Sequence, residues 1–233
     1  GVVNGIDTDV FNPAGDPLIY ANFDASTLEK KAENKQFLQQ RLGLAVRDVP
    51  MVIMITRLVG HKGVDLVQAV MDDLMWDDLQ LVIIGTGERQ YEDMFRAYAA
   101  NFPAKMSANI VFDNTLAHQA YAGADLVLMP SKQEPCGLTQ LIAMRYGTIP
   151  VVRETGGLFD TVPAYNVETG EGNGFTFKSY NAHDMLDAVR RGESLFYNDK
   201  EHWTALQKSV MAYDSSWKRS VQEYWDIYHS LTG

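Results

Sequence analysis

Short runs dominated by apolar residues recur along the chain from position 51: 51–56 (MVIMIT), 79–84 (LQLVII), 109–112 (NIVF), 126–129 (LVLM) and 149–152 (IPVV). Each is of strand length and apolar on both faces instead of alternating, the pattern of a parallel strand covered on both sides. Between them, 63–74, 88–101, 116–122 and 137–146 carry apolar residues at helical spacing. Strand and helix alternating in this way predict right-handed βαβ units and an α/β, Rossmann-like, doubly wound parallel sheet. Ligands of such sheets sit beyond the carboxyl ends of the strands, near the reversal of strand order. The residues that follow each strand are therefore the first candidates for chemistry.

The flanks read differently. Residues 1–25 are rich in turn signals (Asn4-Gly5, Asn12-Pro13, Gly15, Asp16-Pro17), which predicts an ordered connecting segment. Residues 28–42, rich in Lys, Glu, Gln and Leu, predict a helix stopped near Gly43. Three more helices are predicted over 183–190, 200–211 and 217–231. The last places Trp217, Val221, Tyr224, Trp225 and Tyr228 at helical spacing, a stripe expected to pack into a core.

Bulk properties narrow the function classes. The 233 residues suit a single large α/β domain, and 46% hydrophobic content supplies a sizeable core. No apolar run approaches the roughly 18 residues that span a bilayer, and no secretory leader is recognisable. The opening residues, GVVNGIDTDVFN, read like the middle of a longer protein. A net charge of −10 disfavours binding to nucleic acid, whose phosphate backbones require Lys/Arg stripes. Small phosphates need only a few local cations and remain compatible. One cysteine, Cys136, permits no internal disulfide and fits a reducing compartment. The cytoplasm is expected, or a plastid for a plant source. His61, His118, His183, His202 and His229 are scattered without metal-ligand spacing, so no protein-bound metal is expected, and His118 is expected to be structural.

The strand exits carry the chemistry. After the first, Arg57-Leu58-Val59-Gly60-His61-Lys62-Gly63 offers two cations and backbone N–H groups for a diphosphate, although the loop alone also fits two surface cations. After the second, Gly85-Thr86-Gly87-Glu88 suits a close-approach turn at the mouth of the same cleft, or a simple strand-to-helix turn. It lacks the third glycine of a dinucleotide fingerprint. After the fourth, Glu134-Pro135-Cys136-Gly137-Leu138-Thr139-Gln140 places an acid before a helix expected from about Gly137. The helix start favours an anion over 137–139. Glu134 can then accept hydrogen bonds from sugar hydroxyls or stabilise positive charge at an anomeric carbon; a solvated loop acid is the plainer alternative. Nothing in the sequence places a His or Asn to activate Cys136, which reads as packed or as contributing backbone. After the fifth strand, Thr155-Gly156-Gly157 permits close approach of backbone to a ligand.

Taken together, Val3-Asn4-Gly5-Ile6-Asp7, 57–63 (RLVGHKG), 118–125 (HQAYAGAD), 134–140 (EPCGLTQ), 143–147 (AMRYG) and 155–162 (TGGLFDTV) resemble the bacterial glycogen synthase and plant starch synthase family, glycosyltransferase family 5. The resemblance extends over the whole chain. It implies the GT-B architecture of two facing Rossmann-like domains, with residues 1–233 forming the C-terminal, donor-binding half, 217–231 a helix crossing to the other domain, and the N-terminal domain absent. It implies transfer of glucose from ADP-glucose, in some members UDP-glucose, to the non-reducing end of an α-1,4-glucan with retention of configuration and without a cofactor. Arg57 and Lys62 match the family's diphosphate-binding pair and Glu134 its essential acid. The backbone of 136–139 (Cys136, Gly137, Leu138, Thr139) matches the sugar and phosphate contacts, and Phe112 the aromatic that stacks on the base. Gly85, Gly87, Thr155 and Gly156 join the candidate donor site. Gln133 and His61 depart from common family choices, and neither removes a charge; Ile142 stands where many other GT-B transferases carry a second Glu, which favours the glycogen and starch synthase family over that wider set. The glucan acceptor would be held mainly by the N-terminal domain, so the chain alone is expected to bind nucleotide weakly and transfer little glucose. Two other readings are a different GT-B sugar-nucleotide enzyme and a non-catalytic nucleotide- or glucan-binding regulatory module.

Overall fold

The computed structural model describes residues 2–232. Six strands, β1 (Met51–Ile55), β2 (Gln80–Ile84), β3 (Met106–Asn109), β4 (Leu126–Met129), β5 (Ile149–Arg153) and β6 (Phe175–Phe177), form one sheet in the order β3-β2-β1-β4-β5-β6. Every pairing is parallel. The helices are α1 (Lys31–Leu42), α2 (Val64–Ala69), α3 (Met71–Trp76), α4 (Arg89–Asn101), α5 (Asn114–Gly123), α6 (Thr139–Arg145), α7 (Gly157–Thr161), α8 (Ala182–Asn198), α9 (Lys200–Ala212) and α10 (Trp217–Thr232).

The apolar character of the strands has a direct cause. Alternate residues of β1 enter opposite cores: Val52 and Met54 pack with residues of α2, α3, α8 and α9, and Met51 and Ile53 with residues of α1 and α5. Both faces are thus removed from water, as a doubly wound sheet requires. Helix α1 ends where expected, because Gly43 takes a left-handed conformation (φ 70°) open to glycine at little cost. Strand order reverses between β1 and β4, registered through Val52 with Leu126 and Ile53 with Val127, so a crevice forms at their carboxyl ends.

Some sequence expectations are corrected. The third strand is β3 at Met106–Asn109, not 109–112; it pairs with β2 alone and, as an edge, tolerates polar Ser107 and Asn109. Phe112 therefore lies in the loop after the strand. The expected helix over 63–74 breaks at Val70 (φ −126°) into α2 and α3. Helix α6 begins at Thr139 instead of Gly137, which is left-handed at φ 73°. The short β6 and α7 were not foreseen.

The aromatic stripe of the last helix is not core. Trp225 is 59% exposed and Leu231 76%, with Trp217, Val221 and Tyr224 also exposed. The start of α10 is held by the N-terminal segment. Ile6 N–H donates to Ser215 O at 2.8 Å, and Ser220 Oγ donates to Val3 O at 2.7 Å. Gly5 lies so close to the backbone of Ser216 and Trp217 that a Cβ would meet Trp217 N at 2.4 Å. No helix among the described residues is long and apolar enough to cross a membrane.

Candidate functional site

The loops after β1 and β2 are joined backbone to backbone. Leu58 N–H donates to Thr86 O and Glu88 N–H to Leu58 O, at 2.9 and 2.8 Å. A Cβ on Gly85 would fall 1.8 Å from Thr56 O, and one on Gly87 2.2 Å from Leu58 O, so only glycine fits at either position. Beyond Leu58 a tight turn (Gly60–Lys62) ends in Gly63, left-handed at φ 78°. The absence of a side chain there lets the turn rest on Pro130 O at the exit of β4. Lys132 N–H adds a bond to His61 O at 2.9 Å.

This contact between loops brings two charges together. Lys62 Nζ lies 2.6 Å from Glu134 Oε2, and their side chains are only 19% and 11% exposed. Ser131 Oγ donates to the same carboxylate oxygen at 3.1 Å. A pocket of about 180 Å³ opens beside them at the reversal of strand order, lined by Thr56, Lys62, Ser131, Glu134, Leu138 and Thr139 among others. Gly137 also lines it. A second pocket of about 240 Å³ shares Ile55 and Thr56 with it, and includes Arg57, Gly85, Thr86, Phe112 and Asn114. The two make one trough along the carboxyl edge of the sheet. Phe112 is 95% exposed at its rim. Arg57 is exposed, and its guanidinium has no hydrogen-bond or ion-pair partner among the described residues.

The segment that presents Glu134 is held from behind. Gly157 N–H donates to Glu134 O at 3.0 Å. Gly156 (φ 49°) sits where a Cβ would be 2.2 Å from Glu134 O, and Gly157 where one would be 2.1 Å from Cys136 O. Gln140 Nε2 donates to Cys136 O and Gly137 O, at 3.1 and 3.0 Å. Cys136 Sγ accepts from Asn4 N–H at 3.3 Å, a packing role and not that of an activated nucleophile.

The structure therefore gathers Lys62, Glu134, Gly137, Leu138 and Thr139 around one pocket and Arg57, Gly85 and Phe112 around the other. Gly87, Cys136, Thr155 and Gly156 line neither and form supporting wall. Ser131 and Asn114 were not anticipated. Ser131 had a usable signal, since it is the second residue after β4. His118 is buried and structural: its Nδ1 lies 2.7 Å from Asp16 Oδ2, which also accepts from Tyr146 OH at 2.6 Å.

A larger cavity, about 340 Å³, opens at the opposite edge of the sheet between α1, α8 and α9. Its buried cations are already engaged. Lys31 Nζ lies within 3.1 Å of the carbonyls of Tyr121, Ala122 and Tyr146 and of Thr148 Oγ1, and Lys35 pairs with Asp125 at 2.6 Å. The trough at the carboxyl edge differs in offering an uncommitted guanidinium, an exchangeable ammonium, a carboxylate flanked by hydroxyls and an open aromatic face. Such a set can take an anion, a polyhydroxylated group and a flat ring side by side.

The family described as "Glycosyl transferases group 1" matches residues 36–203. A protein named glycogen synthase from Clostridium acetobutylicum is 51% identical over 232 residues, covering 99% of this chain and 49% of that protein. One of the same name from Bacillus cereus strain Q1 is 53% identical, covering 99% of this chain and 48% of that protein. The solved catalytic domain of starch synthase IV from Arabidopsis thaliana, bound to ADP and acarbose, superposes with a TM-score of 0.90 at 38% identity, over 97% of this chain and 48% of that one. The chain thus spans about half the length of the relatives it matches.

Proposed function

Because the chain belongs to the group 1 glycosyl transferases, we propose that it is the donor-binding half of a retaining glucosyltransferase of the glycogen and starch synthase kind. The observation that carries this reading is the Lys62–Glu134 contact at the reversal of strand order, with the unpartnered guanidinium of Arg57 at the same strand end. In this reading Arg57 and Lys62 grip the diphosphate of a nucleotide sugar, and Phe112 covers the base. Glu134, Ser131 and Thr139 surround the sugar. The starch synthase IV relative was solved with ADP, which supports ADP-glucose as the donor, with UDP-glucose as the variant to test. The acceptor is an α-1,4-glucan, held mainly by the half of the relatives' length outside this chain. The exposed stripe of α10 packs on that half. The cytoplasm is the proposed site of action.

The reaction calls for no cofactor. The anomeric C–O bond breaks with its electron pair passing to the diphosphate, whose charge Arg57 and Lys62 neutralise. Glu134 stabilises the oxocarbenium-like centre. The glucan hydroxyl adds from the face the diphosphate has just left and gives its proton to a diphosphate oxygen, so configuration is retained. Titrating ADP and UDP into the parent and Arg57→Ala proteins tests the reading. Binding of one nucleotide that weakens about tenfold or more in the variant, with unfolding unchanged, is expected. Equal affinity in both proteins overturns it.

A further inference from the structure

We propose that Arg153 and Tyr180 are positioning residues that brace the two loops carrying Lys62 and Glu134 against each other. The proposal rests on the donor-site reading above. Lys62 follows β1 and Glu134 follows β4, so their 2.6 Å contact depends on two loops, joined directly by Lys132 N–H to His61 O, holding register across the crevice. Neither Arg153 nor Tyr180 lines the trough. Both act from behind it.

Arg153 closes β5, and its guanidinium reaches three carbonyls. Nε donates to Ser131 O at 2.9 Å, Nη2 to Lys132 O, and Nη1 to Lys178 O at 3.3 Å. Two of these belong to the loop of Glu134, and Ser131 is the residue whose hydroxyl bonds the Glu134 carboxylate. A planar fork with fixed donors can hold adjacent carbonyls at once; a lysine ammonium has neither the reach nor the geometry.

Tyr180 lies between β6 and α8 and completes the brace. Its ring centre is 5.8 Å from the Arg153 guanidinium and 5.6 Å from Lys132 Nζ, within cation–π range of both. Its hydroxyl lies 3.1 Å from Gly60 O and 2.5 Å from Asp65 Oδ1. Gly60 opens the turn that carries Lys62, and Asp65 is in the first turn of α2 behind it. Burial, together with the Asp65 carboxylate, holds the Tyr180 proton well above the usual tyrosine range. The hydroxyl therefore stays a donor at any pH used for assay. The chain of contacts runs from Glu134 through Ser131 and Arg153 to Tyr180, then to Gly60 and Lys62. It ties the two sides of the sheet across the point where strand order reverses.

A displacement of the order of 1 Å between reacting groups costs about a hundredfold in rate. Loosening the brace should therefore appear in turnover more than in binding. The test is steady-state glucosyl transfer by the full-length protein carrying Arg153→Lys, Arg153→Gly or Tyr180→Phe, with Lys62→Met alongside. Expected are kcat losses of about 10- to 100-fold in the brace variants with KM for the nucleotide sugar changed only a few-fold. Millimolar guanidinium should partly restore Arg153→Gly. Should Arg153→Gly fail to fold, Arg153→Lys and Tyr180→Phe carry the test. Folded brace variants that keep kcat within about twofold, while Lys62→Met is crippled, would overturn the brace and leave the donor site standing. Full activity in Lys62→Met would instead remove the reading on which the brace depends.

Discussion

Lys62 and Glu134 are 72 positions apart in sequence, yet their charged groups meet at 2.6 Å in a crevice that shields both from most of the solvent. In the proposed donor site, a pair so placed is an interaction the chain would relinquish in part to take a diphosphate, since Lys62 has a limited number of donors. It also holds the ammonium within reach before any ligand binds.

That relationship predicts strong coupling between the two residues. Lys62→Met strands the Glu134 carboxylate with Ser131 alone and should destabilise the chain by about 1–3 kcal/mol. Glu134→Gln in the Lys62→Met background should recover part of the loss, giving an interaction term of about 0.5–3 kcal/mol. Urea unfolding of the parent, the two single variants and the double variant measures it. Strict additivity would mean that the contact is not energetically real.

Gly156 offers a backbone test. It holds φ at 49° and ψ at −132°, and a Cβ there would lie 2.2 Å from Glu134 O. Gly156→Ala should therefore cost about 1–3 kcal/mol in backbone strain before any clash is relieved, and should push the Glu134 segment out of line. Gly15→Ala, with nothing within 4 Å of the new Cβ, should be close to neutral. Comparable melting of the two variants would show that the 134–137 segment simply moves aside.

The parts of this architecture legible in the sequence are those set by local, repeated signals. The buried strands β1, β2, β4 and β5 announce themselves because both faces are covered, which demands apolar residues without alternation. The edge strand β3 has one pairing partner and half-polar residues, so its apolar neighbours Ile110, Val111 and Phe112 drew the expected strand three residues too far. The glycines were legible as sites of close approach, but not which backbone they approach: Gly85 and Gly87 face the β1 exit, and Gly156 faces Glu134. Tyr180 carries no local signal at all. Its place is fixed by tertiary contacts with Gly60 and Asp65, 120 and 115 positions away. The stripe of α10 was legible as apolar and helical, but periodicity does not say whether its partner lies within the same 233 residues.

That helix yields a contrast between two tryptophans. Trp225 on α10 is exposed, and Trp203 on α9 is buried against Phe196 at 5.2 Å between ring centres. Trp225→Glu should leave unfolding of this chain within about 0.5 kcal/mol of the parent. Trp203→Glu should cost several kcal/mol, on the order of a large-to-small core change or more. In the full-length protein Trp225→Glu should become destabilising, because its proposed partner surface is then present. Denaturant unfolding of both lengths separates the cases; an unchanged full-length Trp225→Glu would leave the stripe without the partner assigned to it.

Glu193 predicts how stability varies with pH. Burial on α8, reinforced by the nearby Asp77 and Asp78 charges and opposed by Arg190 and Lys105, raises its pKa from 4.5 to about 7. Arg190 gives little relief, since its Nε is committed to Asp77 Oδ2 at 2.8 Å. Below pH 4.5 the carboxyl is protonated in folded and unfolded chains alike, and its contribution to stability is fully present. Between 4.5 and about 7 the unfolded chain releases the proton while the folded chain retains it, so the unfolded state binds fewer protons and stability falls as pH rises. Above about 7 the loss is complete. Glu193→Gln removes this titration. It should be more stable than the parent by about 1–3 kcal/mol at pH 8, with the advantage shrinking toward zero near pH 4.5. Urea unfolding of both proteins across that range is the measurement. Curves that stay parallel at every pH would place the Glu193 carboxylate in contact with water and remove the cause assigned to its shift.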